Sequence, residues 1–524
     1  MANLLDRASV VLTPTAYNNG EALCIKPDDA SGDFDFSRNS AATRVNAQGL
    51  VENVQILSSN LVTNGDFSDG STDWTLDTGW SIADNKMTGN SAAGDSYQDL
   101  NLSGGEKTFK ITFDCIVNSG QFAVRFINKQ WVSASGTYTI YETTTSSRLF
   151  VDGRASQLFS GSVTNISVIE ITDDTNLPRI NYEGFSYDGS GNVVPGSGCG
   201  SWLFEPQSTN LIEYSNDYAD AYWIKSTSGS GIAPIVTSNY AISPDGTQNA
   251  DRIQFDATTS GSNSDRSRIR TTLTLSDVTD YTFSFYAKST DGTDQKISIL
   301  FDNSQISVET ITSEWQRFED TAQQTGTSSI CGLDLRGGNA STSDILVYGI
   351  QVEQQSYATS YIPTEGSTVT RNQDVCNNGG SLASINSTSG VLYAEIAALA
   401  NDGTTRFLGL NDGSNSNRVV ILYFSSANKI RAIVSSGGTK YVDVNYQLTN
   451  ILDFHKVAIK YKLNDFAFWV DGVEVATDTS LNAPIGLDRL DFLLSGANNF
   501  FGKTKAVAVF PYLSDAELTE LTTI

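Results

Sequence analysis

Histidine, methionine and cysteine are scarce in this 524-residue sequence, which has one histidine, two methionines and five cysteines. The single histidine, His455, excludes most catalytic triads and most transition-metal sites, because both depend on imidazole groups. The cysteines are far apart and form no Cys-x-x-Cys pair, so the sequence predicts neither a zinc site nor a disulfide framework. We expect small buried thiols at Cys24, Cys115, Cys199, Cys331 and Cys376.

Positive charge is also scarce. The sequence has 33 Lys and Arg residues against 59 Asp and Glu residues, a formal net charge of −26 at pH 7, and no cluster of basic residues. This balance argues against nucleic-acid binding and against docking on an anionic membrane. No apolar run reaches the roughly 18 residues that cross a bilayer, so we expect no membrane insertion. The first residues, with Asp6 and Arg7, lack the apolar core of an export signal.

Turn residues and short alternating segments are abundant instead. The chain has 43 glycines, and Asp-Gly dipeptides that favour tight hairpins recur along it. Between the turns lie strand-like runs such as residues 110–117 and 281–287. Helical periodicity is confined mainly to the C-terminus, where Ser514 and Glu517 predict a capping box. The predicted fold class is all-β, with tandem β-sandwich or jelly-roll domains and a short C-terminal helix.

An internal repeat suggests how the chain is divided. Residues 59–68, followed by Trp74, align with residues 209–218, followed by Trp223, and a long strand pattern follows each. The matching positions predict that both tryptophans are core residues. The repeat and two Gly/Ser/Asn-rich segments predict an N-terminal attachment segment at 1–57, a jelly roll at 58–175, a connector at 176–206, a second jelly roll at 207–365, a linker at 366–384 and a closed sandwich at 385–524.

Two of these regions resemble known sugar-binding folds. Residues 60–68 with Asp73 and Trp74 are similar to the start of carbohydrate-binding jelly rolls of the kind appended to xylanases. The strand at 390–396, the Val-Asp-Gly turn at 470–472 and the closing residues 513–518 resemble the concanavalin A-like, laminin-G-type lectin sandwich over nearly all of 385–524. The resemblances imply β-sandwiches with a sugar-binding face or edge.

A third resemblance lies in segments between the modules, which are 33–52, 177–183, 202–211, 360–364 and 369–374. Together they are similar to a frame that recurs in tailed-bacteriophage structural and fibre-like proteins. The resemblance implies a virion component assembled in the host cytoplasm and released by lysis. Relative to shorter forms of the frame, the Gly/Ser segment 185–200 is an insertion. Within the frame, Arg38 and Arg44 are placed to pair with Glu52 or Glu183, either as structural ion pairs or as an attachment contact.

Aromatic rings are the expected sugar contacts, because they stack on the apolar face of a pyranose while Asn, Asp and Gln bind its hydroxyls. Four candidates lie beside turns or beside Trp223, namely Trp80, Trp131, Tyr222 and Trp315. A fifth, Trp469, lies on the opposite strand face from Phe468, and the sequence does not decide which face is buried.

Acidic turn residues leave two interpretations open, a structural calcium ion or simple solvated turns. The calcium candidates are Asp66, Asp69, Asp73, Asp173 and Asp174. No cofactor is otherwise required.

The leading hypothesis is a bacteriophage virion structural protein, a fibre or appendage subunit that binds host-surface polysaccharide. Its expected partners are other virion proteins and further copies of itself, with a trimer favoured. The alternatives are a capsid or tail decoration protein without receptor activity, a bacterial surface adhesin and a glycan depolymerase. We expect no enzyme, because the carboxylates on the strands of the last sandwich form no compact catalytic motif. These carboxylates are Glu395, Asp443, Asp471 and Glu474.

Overall fold

The structure is a computed structural model that describes residues 4, 6–102, 104–183, 199–258, 261–424, 428–493 and 498–523. Regular structure is almost entirely antiparallel strand with a short C-terminal helix, which confirms the predicted fold class. The Gly/Ser insertion predicted at 185–200 lies outside the described residues except at its last two positions. In the described part of the chain, no helix has the length and apolarity needed to cross a bilayer.

The strands follow one another in four groups along the chain. The first group is β1 (Val10–Asn18), β2 (Glu21–Lys26), β3 (Phe34–Ser37), β4 (Thr43–Val45), β5 (Val51–Asn53) and β6 (Ile56–Leu57). The second group is β7 (Trp80–Ala83), β8 (Lys86–Ala92), β9 (Asp95–Asp99), β10 (Lys107–Ser119), β11 (Phe122–Arg125), β12 (Gly136–Thr144), β13 (Arg148–Gly153) and β14 (Phe159–Asp173).

The third group is β15 (Arg179–Glu183), β16 (Cys199–Phe204), β17 (Ser208–Asn210), β18 (Ile224–Ser228), β19 (Ile232–Ala241), β20 (Ala250–Asp256), β21 (Arg266–Thr274), β22 (Asp280–Ser289), β23 (Gln295–Phe301), β24 (Ser304–Ile311), β25 (Gln316–Gln323), β26 (Ser328–Arg336), β27 (Thr342–Glu353), β28 (Val369–Arg371) and β29 (Val375–Asn377). The last group is β30 (Ser389–Ala398), β31 (Arg406–Asn411), β32 (Arg418–Tyr423), β33 (Lys429–Ser436), β34 (Thr439–Gln447), β35 (His455–Lys462), β36 (Asp465–Val470), β37 (Val473–Asp478), β38 (Arg489–Asp491) and β39 (Gly502–Phe510), followed by helix α1 (Asp515–Thr522).

Two sandwiches occupy the repeated part of the sequence. The first consists of the sheet β12-β10-β14-β8-β7, with β6 beside β14, and the sheet β11-β13-β9. The second consists of two five-stranded sheets, β18-β21-β26-β23-β24 and β19-β20-β27-β22-β25. Alternation along each strand places apolar side chains in a single core per sandwich, as the pleat requires.

The repeat has a shared physical basis in its tryptophans. Trp74 is buried in the first core, and its indole N–H donates to the backbone carbonyl of Asn64 at 3.2 Å. Trp223 is buried in the second core and donates in the same way to the carbonyl of Tyr214 at 2.8 Å. Asn64 and Tyr214 are the sixth residues of the two repeated segments. Each tryptophan therefore anchors the equivalent loop to its own core.

The third sandwich draws on both ends of the chain. Its larger sheet runs β29-β3-β2-β1-β39-β30-β35-β36-β37, with the hairpin β15-β16 joined to β39, and its smaller sheet runs β34-β33-β32-β31-β38. Strand β1 pairs antiparallel with β39, with Val10 opposite Val509 and Leu12 opposite Val507. The sequence predicted a separate attachment segment at 1–57, whereas its strands β1 to β3 are part of this sheet. The predicted connector and linker likewise contribute paired strands.

The outer face of this larger sheet is covered by helix α1. Leu518 and Leu521 of the helix pack on Trp469 and Tyr393 in a small apolar cluster that Leu4 also joins. Phe468 points into the main core. The predicted capping box is present, because the Ser514 backbone N–H donates to the Glu517 carboxylate at 2.8 Å while the Ser514 hydroxyl accepts from the Glu517 N–H.

Segments in or next to strands β3, β15, β16, β28 and β29 meet at a buried ionic cluster, which we call the arginine junction. It comprises Arg38, Arg179, Arg371, Glu205 and Asp374, whose side chains are at most 4% exposed. Asp374 pairs with Arg38 at 3.2 Å and also with Arg179. Glu205 pairs with Arg179 at 2.5 Å and Arg371 at 2.7 Å. Four of the five frame segments supply these side chains.

Hydrogen bonds from Ser360 add to the ion pairs of the junction, although one guanidinium nitrogen each of Arg38, Arg179 and Arg371 has no hydrogen-bond partner among the described residues. The Ser360 N–H and hydroxyl, from the fifth frame segment, both donate to the Glu205 carboxylate at 2.7 Å. Burial alone raises the pKa of Glu205, but Arg371 and Arg179 outweigh it and lower that pKa to about 2. Glu205 is therefore ionised at neutral pH.

Replacing Asp374 by asparagine removes one of the two carboxylates of the junction, the one that pairs with Arg38 and Arg179. We expect Asp374→Asn to lower the free energy of unfolding by about 3–5 kcal/mol, because a buried charge loses its partner. Urea denaturation measures this change. As a control, Asp443→Asn breaks the partly exposed pair with Arg431 and should cost no more than about 1 kcal/mol. Equal effects of the two substitutions would contradict the argument.

Fragments test the composite third sandwich. Residues 385–524 alone lack β1 to β3, so the core loses Val10, Leu12 and Phe34 and β39 becomes an edge. We expect this fragment to show no cooperative thermal transition by near-ultraviolet circular dichroism. The control fragment 207–372, whose sheets pair only among its own strands, should melt cooperatively. A sharp transition in 385–524 would refute the prediction.

Candidate functional site

A cleft of about 820 Å³ opens where the first and second sandwiches meet. The sandwiches touch beside it, since the Gln248 N–H donates to the Thr137 carbonyl at 2.8 Å. We call this space the inter-sandwich cleft. The residues that line it and enter the argument are Gln130 from the first sandwich and Tyr214, Asp217, Asn249, Asp251, Thr364 and Glu365 from the second.

The hairpin of β4 and β5 closes one side of the region. The Val51 N–H donates to the Pro244 carbonyl at 2.9 Å, and the Val51 side chain packs on Tyr348 and Tyr361. A second cavity of about 260 Å³ lies between this hairpin and both sandwiches, and it shares Asn249 and Glu365 with the inter-sandwich cleft. The two cavities therefore have a common wall.

Asp251 is the buried acid of the cleft. It lies on β20 and is 1% exposed, and its carboxylate accepts the backbone N–H groups of Tyr218 at 3.1 Å and Asn239 at 2.8 Å. Burial raises its pKa to about 7, against the opposing effect of those two donors. Asp251 thus exchanges a proton near neutral pH while remaining a hydrogen-bonding group.

Two further oxygen atoms in the cleft wall are buried without a hydrogen-bond partner among the described residues. They are Thr364 Oγ1 and Asn249 Oδ1. The Asn249 amide nitrogen donates to Asp245 at 2.7 Å, and Thr364 as a whole is 7% exposed. A buried polar atom left unpaired costs about 1–3 kcal/mol. A ligand that donates hydrogen bonds to these atoms removes that cost.

Tyr214 supplies an aromatic ring to the cleft wall. Its ring centroid lies 5.7 Å from that of Tyr222, and its backbone is held by Trp223 as described above. Tyr222 stands edge-on to Trp223 at 5.5 Å and packs on the second core. The sequence-predicted candidate Tyr222 is therefore a neighbour of the cleft ring, and Tyr214, which was not predicted, lines the cleft itself.

Two predicted stacking residues are buried. Trp80 is 7% exposed, donates through its indole N–H to the Gly94 carbonyl at 2.9 Å and packs on Phe159. Trp469 is 6% exposed beneath helix α1. Neither ring can lie flat against a sugar in this fold, so both predictions are wrong. Adjacency to a turn did not expose Trp80, because its ring folds back on Phe159, and the strand face of Trp469, which the sequence left undecided, is the one that helix α1 covers.

The other two predicted tryptophans are half-buried. Trp131 lies beside the cleft residue Gln130, and its ring is flanked by Lys129 at 5.4 Å and Arg154 at 5.3 Å. Trp315 donates to the Ile242 carbonyl at 3.2 Å and packs against the β4-β5 hairpin cluster. Trp131 remains an accessible ring outside the cleft lining.

The calcium candidates do not converge. Asp66 and Asp173 accept from Ser68 and Thr175 within their own turns, and Asp73 accepts from the Thr63 hydroxyl at 2.8 Å. Within the described ranges, no group of three or more His, Cys, Asp or Glu side chains could hold a metal ion, Asp69 and Asp174 included. These contacts match the alternative interpretation of acidic turns.

The predicted ion pairs are partly rearranged. Arg44 pairs with Glu52 at 2.9 Å. Arg38 instead reaches Asp374 in the arginine junction, and Glu183 pairs with Lys503 at 2.6 Å. The partners Asp374 and Lys503 are more than 300 positions away along the chain, so local spacing could not identify them.

Three of the four strand carboxylates named for the third sandwich contact different partners. Asp443 pairs with Arg431 and Lys440. Asp471 lies 2.6 Å from His455 Nδ1, and Glu395 lies 3.8 Å from Lys505. The other ring nitrogen of His455 contacts the Asn450 carbonyl at 2.9 Å, so this histidine is held on both sides.

The chain matches no protein-family model and no curated protein. Among solved structures, the CBM40 module of the Ruminococcus gnavus IT-sialidase bound to α2,3-sialyllactose is 18% identical with a TM-score of 0.23, over 26% of this chain and 83% of that chain. The tandem CBM22 domains of Paenibacillus barcinonensis Xyn10C are 9% identical with a TM-score of 0.18, over 57% and 98%. Mouse laminin α1 domains LG4-5 are 12% identical with a TM-score of 0.18, over 46% and 90%. Similarity of this size identifies no family.

Asp251 makes stability depend on pH in a defined direction. The pKa of Asp251 is about 7 in the folded chain, above the ordinary value of 3.8. The protonated side chain therefore stabilises the fold fully below about pH 3.8, and this contribution to the free energy of unfolding is lost as the pH rises to about 7. Asn does not ionise, so the Asp251→Asn variant does not lose stability in this way. We expect the free energy of unfolding of the variant, relative to that of the native chain, to rise by at most about 1.4 kcal/mol per pH unit across that window and to stay constant above it. Urea denaturation between pH 4 and pH 8.5 measures the difference, and a pH-independent difference would contradict the assignment.

Proposed function

We propose that this chain is a structural subunit of a bacteriophage virion that binds a host-surface glycan in the inter-sandwich cleft, without catalysing a reaction. The observation that carries the binding site is the pair of buried, unpartnered oxygen atoms on Thr364 and Asn249, two residues that line the cleft together with Tyr214. A folded chain tolerates such atoms at a cost that a bound ligand relieves.

The chemistry of the cleft suits a sugar. Asn249 and Thr364 offer oxygen atoms to sugar hydroxyl groups, and Asp251 lines the same cleft. Tyr214 offers a ring edge or face to the apolar side of a pyranose. A cleft of about 820 Å³ has room for a short oligosaccharide.

The virion assignment is supported by the frame segments. Their sequences resemble tailed-bacteriophage structural proteins, and all five segments meet at the arginine junction. The frame therefore has an architectural task, to join sandwiches that carry binding surfaces. Display of many copies on one particle would turn weak glycan contacts into firm attachment.

Thr364→Val tests the cleft without disturbing the free protein. The valine keeps the side-chain shape and removes a hydroxyl that has no partner in the described structure, so the free energy of unfolding should be unchanged or slightly higher. We expect binding of the full-length chain to a microarray of bacterial capsular and O-chain polysaccharides to weaken about fivefold to tenfold.

Trp131→Ala is the matched control, because it removes an accessible ring outside the cleft lining. Loss of binding in this variant but not in Thr364→Val would move the site to the first sandwich and overturn the assignment to the cleft. A native chain that binds no polysaccharide would favour a decoration protein, and release of oligosaccharide products would favour a depolymerase.

A separate experiment tests the virion assignment. Antibodies raised against the full chain should label intact particles, and particles free of label would refute the assignment.

A further inference from the structure

The charges of the inter-sandwich cleft restrict the class of glycan it can hold, an inference that rests on the proposed function. Two exposed carboxylates line the cleft, from Asp217 and Glu365, together with the buried Asp251, whose pKa is about 7. Among the described residues that line it, none is lysine or arginine. A sugar carboxylate or phosphate placed there would meet like charge with no cation to pair with.

Nearby cations do not change this sign. Lys225, the cation whose charge acts on Asp251, donates to the backbone carbonyls of Ala219 at 3.0 Å and Asp220 at 2.9 Å. The adjoining cavity has one lysine, Lys110, against several acidic side chains. The acidic residues of that cavity are Glu52, Asp245 and the shared Glu365.

Several hydrogen-bonding groups that line the cleft are acceptors, which also disfavours a ligand that carries acid groups. Asn249 Oδ1 is an amide oxygen and can only accept, and one N–H of the Asn249 amide nitrogen already donates to Asp245. The Asp251 carboxylate accepts from two backbone N–H groups, and Asp217 accepts from the N–H groups of Ala219 and Asp220. The Thr364 hydroxyl can donate or accept, but the amide and carboxylate oxygens favour a ligand that supplies donors, as sugar hydroxyl, acetamido and amino groups do and ionised acid groups do not.

We propose that the inter-sandwich cleft binds a neutral or amino sugar and rejects glycans that carry carboxylate or phosphate groups. Specificity of this kind comes from repulsion as well as attraction, because the acidic wall disfavours the wrong ligand. The formal charge of −26 on the whole chain acts in the same direction at longer range.

The experiment compares three probes on the full-length chain at 0.15 M salt, where charges beyond about 8 Å are screened. The neutral probe is mannan, the amino probe is chitosan oligosaccharide and the anionic probe is polygalacturonate. We expect the neutral or the amino probe to bind at least about tenfold more tightly than the anionic probe. Chitosan, a cation, is repeated at 0.5 M salt so that binding through net charge alone is recognised by its loss.

The variant Asp217→Asn/Glu365→Gln removes two exposed carboxylates from the rim. We expect this variant to lower about tenfold the ratio of the affinity for the neutral or amino probe to the affinity for the anionic probe. Thr364→Val should weaken binding of the probes without changing that ratio. Anionic binding as tight as neutral binding and sensitive to Thr364→Val would overturn this inference and leave the proposed function standing. Binding of none of the three probes, nor of any polysaccharide on the microarray, would overturn the proposed function together with the inference.

Discussion

The fold depends on the pairing of buried arginines with buried carboxylates in the arginine junction. Arg38, Arg179 and Arg371 are almost completely buried, and burial of a guanidinium is tolerable only where carboxylates and hydrogen-bond acceptors surround it. Asp374 and Glu205 supply that environment, so each frame segment is useful only when the others are in place. A junction of this type contributes specificity of assembly more than net stability, because an apolar cluster of equal volume would pack at lower desolvation cost. The ionic form joins distant parts of the chain in one arrangement.

The same dependence appears in the third sandwich. Its core combines residues near Val10 and Phe34 with residues near Val509, so the sheet that carries the last sandwich is complete only when chain segments from both ends have paired. Pairing over such separations carries a loop-closure cost that is recovered only when the apolar faces come together. The first and second sandwiches, by contrast, pair within their own segments and rely on local contacts such as the tryptophan anchors.

The features predicted correctly from the sequence are those that depend on residues close together along the chain. The all-β class, the capping box at Ser514 and the burial of Trp74 and Trp223 follow from alternation, turn chemistry and an internal repeat. The cleft could not be predicted in this way, because Thr364 and Asn249 come from different segments and resemble ordinary turn residues. One signal was available, since Asp251 is an acidic residue beside buried positions of an alternating strand. Trp80 was misassigned because turn adjacency does not report what a ring folds back upon.

The antiparallel pairing of β1 with β39 also has a mechanical consequence. The beginning of β1 lies beside the end of β39, with Val10 opposite Val509, so tension applied to the residues before β1 and after β39 pulls the two strands apart from the same edge. Under this geometry the inter-strand hydrogen bonds break one after another, as in peeling, and the force needed is small compared with sliding the strands along each other. The β1-β39 pair is therefore weaker against tension on the residues that flank it than against sliding of its two strands.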